Sequence, residues 1–255
     1  LGAALHYQHI DLKLVKEAAE KNTNIAIRPA SSYRDATIDN PLRGMSIGVI
    51  NYGLGNQQSL LNALETIGAQ TILSENTVDL AACDLLVLPG VGAFPKGMEA
   101  LRERGLEEWL KIWASRDKPL LGICLGMQML FESSEEFEQC LGLGIIRGHI
   151  RRLPKRDATG ERLTLPHMGW NRLVPNPEID KPDWEGHLQC NQYFVHSYAA
   201  QNVDKSSILS YCHYGTHSFV AAVRVGAIAG LQFHPERSGA DGLVLLAKIC
   251  KELAD

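Results

Sequence analysis

Short apolar runs alternate with amphipathic stretches along most of this chain. Ser46-Ile47-Gly48-Val49-Ile50-Asn51 predicts a strand, and Tyr52-Gly53-Leu54-Gly55-Asn56 predicts a glycine-rich turn after it. Leu60, Leu61, Leu64 and Ile67 then recur at helical spacing, so 57–67 predicts a helix. Thr71-Ile72-Leu73 reads as a second strand. Asp84-Leu85-Leu86-Val87-Leu88-Pro89 reads as a third, apolar between its ends as a strand covered on both faces should be. A helix over about 97–113 and a strand over 119–123 follow. This alternation implies a parallel sheet with helices on both faces.

The second half changes rhythm. His149–Leu153, Cys190–Tyr198, Ser207–Tyr211 and Ala227–Phe233 read as strands separated by turns with Pro and Gly, and a last helix covers about 240–253. The expected fold is α/β, an open mixed, mostly parallel sheet flanked by helices. Residues 1–44 stand apart as an amino-terminal extension. They hold a modest amphipathic helix over 11–21, a short strand at Asn24–Arg28, and a linker over 29–44 with Pro29, Pro41 and Gly44. Residues 45–255 form the expected domain.

Composition narrows the function classes. The chain has 255 residues, 45% hydrophobic and 21% charged, which suits soluble globular domains. A formal net charge of −4 without a Lys/Arg block argues against nucleic acid as a partner. No apolar run approaches the ~20 residues of a membrane span. The six cysteines are scattered without a CxxC pair, so a cytoplasmic, reducing setting is expected. His213 and His217 are the close i, i+4 histidine pair, but they flank the turn Tyr214-Gly215-Thr216. No metal or cofactor site is expected.

Gly122-Ile123-Cys124-Leu125-Gly126 carries the chemistry. It follows the apolar Pro119-Leu120-Leu121 and opens into Met127-Gln128-Met129-Leu130-Phe131, which reads as strand, sharp turn and helix. A thiol at a helix N-terminus is favoured as thiolate, and flanking glycines permit a strained elbow. A buried structural cysteine fits the pentapeptide equally well. Phe233-His234-Pro235-Glu236 supplies a base with a group to orient it, because i and i+2 point the same way in extended backbone. Pro89-Gly90-Val91-Gly92 lies past the end of a buried strand, where open α/β sheets place their sites. Its N–H groups, with that of Leu125, suit an oxyanion. The turn at Tyr52–Asn56 lacks the G-x-G-x-x-G spacing of a dinucleotide site.

Taken together, these motifs resemble class I (triad) glutamine amidotransferases, and among them the HisH-type glutaminase subunits of imidazole glycerol phosphate synthase. The resemblance rests on Asn51–Asn56, Leu88-Pro89-Gly90-Val91-Gly92-Ala93-Phe94, Gly122–Gln128, Pro166-His167-Met168-Gly169-Trp170-Asn171, Tyr193-Phe194-Val195-His196-Ser197-Tyr198 and Gln232–Glu236. These segments run in family order across 45–255. The resemblance implies a class I glutamine amidotransferase, flavodoxin-like fold and hydrolysis of L-glutamine through a Cys124 thioester. His234 would be base and then acid, and Glu236 would orient it. Gly90, Val91, Gly92 and Leu125 would form or flank the oxyanion hole. Gln128, Glu136 and the His196-Ser197-Tyr198 backbone would hold the substrate's amino-acid end. Phe137 stands where the family usually carries glycine.

The resemblance also implies a heterodimer with a HisF-like (β/α)8 cyclase, which uses the ammonia to make imidazole glycerol phosphate and AICAR. The Pro89–Gly92 turn would rest in an unproductive orientation until the partner binds acceptor. Residues 1–28 faintly resemble the carboxy-terminal end of such a cyclase, which suggests a remnant. Two alternatives stand beside it: a paralogue that shares these motifs and donates ammonia to another acceptor, such as an amidino-sugar for surface polysaccharide, and a stand-alone γ-glutamyl hydrolase.

Overall fold

The computed structural model describes residues 40–55, 57–179 and 190–255. The expected helix over 11–21, the strand at 24–28 and the cyclase-like resemblance of 1–28 lie outside the described residues.

A nine-stranded sheet organises the molecule. Its spatial order is β2 (Gln70–Ser74), β1 (Ser46–Ile50), β3 (Leu85–Leu88), β4 (Leu120–Ile123), β13 (Ile228–Leu231), β12 (His217–Val225), β11 (Ile208–Tyr214), β8 (His167–Pro175) and β9 (Asn191–His196). From β2 to β13 every pairing is parallel. From β13 to β9 every pairing is antiparallel. A second sheet of four strands has the order β10 (Tyr198–Gln201), β7 (Ile146–Arg152), β5 (Phe131–Ser134) and β6 (Cys140–Leu141).

The parallel half follows directly from its sequence. Successive strand residues face opposite sides of a sheet. Leu85 and Val87 therefore point one way, into a core with Leu60 and Leu64 of α1 (Gln57–Thr66) and Leu245, Leu246 and Ile249 of α6 (Gly239–Ala254). Leu86 and Leu88 point the other way, against Met98 and Leu101 of α3 (Phe94–Glu103) and Leu110 of α4 (Leu106–Ser115). Each such side chain removed from water contributes roughly 1.5–3 kcal/mol. A short helix, α2 (Thr77–Ala81), is capped by Asn76, whose side chain accepts from the Val78 N–H.

Three local expectations change. The helix expected over 97–113 is two helices, because Gly105 adopts a left-handed conformation (φ 66°) between them. The helix after Cys124 is one turn, α5 (Leu125–Met129), and Phe131 already begins β5. Packing also begins before Met45. Leu42 is buried in the core, and its N–H donates to the Ile67 carbonyl.

Candidate active site

The end of β4 meets the end of β13 at Cys124. The two strands run parallel in register, Leu231 opposite Ile123, and the Cys124 N–H donates to the Leu231 carbonyl at 2.7 Å. Cys124 itself takes φ 55° and ψ −107°, a conformation side chains rarely adopt. The flanking glycines act differently from expectation: they permit close packing, and the strain falls on the cysteine. A Cβ on Gly126 would lie 1.8 Å from the Leu88 carbonyl oxygen, and one on Gly122 would lie 2.7 Å from the Met127 nitrogen. The turn is clamped between β3 and β4, which forces the thiol outward at the sheet's carboxyl edge. Because α5 is a single turn, its dipole is a minor influence on the sulfur.

His234 leaves β13 three residues after Leu231. Its N–H donates to the Tyr193 carbonyl at 2.8 Å, a bridge that ties this segment to β9. Ser238 reinforces the tie, donating to the His234 carbonyl and accepting from the Tyr193 N–H. Glu236 reaches the imidazole by a different route from an extended i, i+2 pair. Pro235–Arg237 forms a 3-10 turn that folds the carboxylate back, so Nδ1 and Oε1 lie 2.7 Å apart. Both side chains are buried. Burial alone would lower the imidazole pKa. The neighbouring Cys124 sulfur and the Glu236 carboxylate outweigh it, so the pKa is raised. Among the described residues, His234 Nε2 is buried with no hydrogen-bond partner. Cys124, His234 and Glu236 are thus brought together.

The Pro89–Gly92 turn lies beside them. Gly90, Val91, His234 and Glu236 line one small cavity with Gly55 and Leu60. The Gly90 carbonyl accepts from the Leu125 N–H at 3.4 Å. The donor expected to face an oxyanion therefore faces a carbonyl instead. Gly92 has φ 111°, and Val91 is partly exposed. Sequence reasoning left Tyr52–Asn56 without a role. Here Tyr52 is fully buried and its hydroxyl donates to the Pro89 carbonyl at 2.7 Å, while Gly55 packs close to the Val91 nitrogen. This segment buttresses the turn.

Gln128, on α5, is buried, and its amide nitrogen donates to the Tyr198 carbonyl at 2.9 Å. The carbonyl of Ser197 accepts from the Leu153 N–H. His196 Nδ1 lies 2.8 Å from the Tyr198 carbonyl, and its Nε2 lies 3.2 Å from His167 Nδ1. Burial lowers the pKa of His196 to about 3 and that of His167 to about 4, so both imidazoles are neutral. Of the residues assigned to the substrate, His196 thus serves as a buried support. Glu136 accepts from the Phe94 N–H at 2.7 Å, just past the turn, and burial raises its carboxyl pKa against that hydrogen bond. Phe137 has φ 64°, the conformation in which glycine is preferred. Among the described residues, no cluster of His, Cys, Asp or Glu is placed to hold a metal ion. No helix among them is long and apolar enough to cross a membrane.

A strained cysteine elbow, a buried His–Glu pair and a glycine turn meet at the carboxyl edge of the parallel sheet. The chain belongs to the class-I glutamine amidotransferase family, whose pattern matches residues 48–251. Its relatives place it in the HisH group of that family. It is 44% identical over 202 residues to the imidazole glycerol phosphate synthase subunit HisH of Bacillus licheniformis, covering 79% of this chain and 94% of that one. It is also 44% identical over 207 residues to the HisH subunit of Sulfurimonas denitrificans, covering 80% and 97%. Among solved structures, a glutamine amidotransferase shares the fold with a TM-score of 0.63 at 20% identity, covering 82% of this chain and 98% of that one. PurLQS from Thermotoga maritima matches with a TM-score of 0.60 at 21% identity, covering 82% and 99%. The protein is a glutamine amidotransferase.

Proposed function

We propose that this chain hydrolyses L-glutamine to glutamate and ammonia through a Cys124 thioester. The ammonia passes to a HisF-like (β/α)8 cyclase in histidine biosynthesis. The observation that carries the chemistry is the buried imidazole of His234, held by Glu236 on one nitrogen and beside the Cys124 sulfur. His234 takes the thiol proton as the sulfur attacks the carboxamide carbon, then gives that proton to the departing ammonia. In the second half-reaction it takes a proton from water, which attacks the thioester and releases glutamate. The Leu125 N–H and an N–H of the Gly90–Gly92 turn hold the oxyanion. Gln128, Glu136 and the backbone at Ser197 and Tyr198 face the substrate's amino-acid end. Six free thiols, Cys124 among them, suit a cytosolic location.

The contact between Gly90 and Leu125 favours a gated enzyme over a stand-alone γ-glutamyl hydrolase. While that carbonyl occupies the Leu125 N–H, the oxyanion loses a donor, a loss that in comparable sites slows turnover by ~10²–10³. Binding of the cyclase and its acceptor turns the peptide. The test is glutaminase turnover of the chain alone, with cyclase, and with cyclase plus acceptor nucleotide. We expect near-silence alone and strong stimulation in the full complex. High activity alone defeats gating, and stimulation only by another acceptor, such as an amidino-sugar precursor, reassigns the pathway. Cys124→Ala abolishes glutamine-dependent synthesis and leaves ammonia-dependent synthesis intact.

A further inference from the structure

Gln232 lies between the two halves of the catalytic machinery, and no role has been assigned to it so far. It is the first residue after β13, is fully buried, and its N–H donates to the Ala221 carbonyl at 2.9 Å. Its side-chain nitrogen lies 3.8 Å from the Cys124 sulfur, and its side-chain oxygen lies 3.0 Å from the Gln128 amide nitrogen.

The orientation of this amide follows from its neighbours. The Tyr198 carbonyl can only accept, so the Gln128 atom facing it is the NH2 group. The same NH2 faces Gln232, so the Gln232 atom facing Gln128 is the oxygen. The remaining end of the Gln232 amide is then its NH2 group, and that end points at the sulfur. His196 meets this group of side chains at the Tyr198 carbonyl. Its Nδ1 faces the same Tyr198 carbonyl and must carry the proton there. A single backbone carbonyl thus sets the polarity of two glutamine amides and directs one donor at the nucleophile.

We infer that Gln232 is a catalytic residue of this site, donating a hydrogen bond that holds the Cys124 sulfur in place and stabilises its thiolate, with Gln128 orienting the amide. This rests on Cys124 being the nucleophile. The thiol proton goes to His234, and Gln232 keeps both of its own protons throughout. A hydrogen bond to a developing anion is stronger than one to a neutral thiol, so it favours the reactive form. When sulfur bonds carbon in the thioester, the charge is lost and the bond weakens, which lets the amide follow the substrate.

The test is the pH profile of Cys124 alkylation by iodoacetamide in the full chain, with the labelled peptide identified by mass spectrometry, for the parent, Gln232→Met and Gln232→Glu. The methionine keeps the volume and removes the donor. The glutamate keeps the shape and puts a negative charge beside the sulfur. We expect midpoints that rise in the order parent, Met, Glu, the first step by about one pH unit, a tenfold change in the thiolate equilibrium. In the complex with cyclase and acceptor, Gln232→Met lowers glutamine kcat by about 10- to 100-fold with KM within about threefold. Coincident alkylation profiles for the parent and Gln232→Met overturn the inference, even if the variant melts at lower temperature and whatever the glutamate variant does. If Gln232→Met does not fold, Gln128→Met, which releases the amide, must shift the profile the same way or the inference fails. If glutamine hydrolysis survives in Cys124→Ala, the nucleophile assignment falls instead, so the two failures are distinguishable.

Discussion

The two halves of the large sheet place their residues by different means. In the parallel half, position comes from contact. β3 and β4 are apolar throughout, and the elbow is held because Gly126 leaves no room between it and the Leu88 carbonyl. In the antiparallel half, position comes from hydrogen bonds. β8 and β9 bury His167 and His196, whose rings meet at 3.2 Å, and His196 Nδ1 lies 2.8 Å from the Tyr198 carbonyl. Cys124 belongs to the first half. His234 belongs to the seam, leaving β13 and pinned to β9 through Tyr193. Steric positioning tolerates no added atom but is indifferent to pH. Polar positioning tolerates small shifts but depends on protonation.

This contrast can be broken at its strongest point first. Gly126→Ala forces a backbone oxygen to move away from a new methyl group, and we expect a loss beyond about 4 kcal/mol or no folded protein, read by urea denaturation. The antiparallel half should instead fail in acid. Its two neutral imidazoles have pKa values lowered to about 3 and about 4, against about 6.5 in the unfolded chain. Between these values the unfolded state binds more protons, so stability rises with pH and is lost as pH falls below about 6.5. At pH 5 the loss is on the order of 2 kcal/mol per imidazole. Thermal melts from pH 7 to pH 5 should show it, and His196→Leu should flatten the dependence. Unchanged melts over this range would show that the pair is not held neutral. The smallest effect separates both devices from plain local strain. Phe137→Gly relieves a positive φ at an exposed position, and we expect a gain of about 0.5–1 kcal/mol in the same denaturation assay.

What was legible in the sequence follows the same division. Apolar runs such as Leu85–Leu88 announce a strand covered on both faces, and the parallel half was readable for that reason. β12 went unread because Phe219-Val220-Ala221-Ala222-Val223 fits a buried helix as well as a strand. β8 went unread because its inward positions include His167 and Gly169, which give no apolar alternation. The motif residues Cys124, His234 and Glu236 stood out by type and spacing. Gln232, Tyr52 and Ser238 did not. An amide, a phenol and a hydroxyl are ordinary at strand ends, and their importance lies in partners 37 to 108 residues away.

In the gated enzyme we propose, the bond between the Leu125 N–H and the Gly90 carbonyl has a consequence for the cell's nitrogen economy. At 3.4 Å it is a long contact, so the idle form is held only lightly. Every 1.4 kcal/mol by which that form is preferred divides the idle loss of glutamine by about ten. A firm latch would save more nitrogen but would demand a correspondingly large differential affinity from whatever opens it. A light one accepts a small leak in exchange for release by a modest signal.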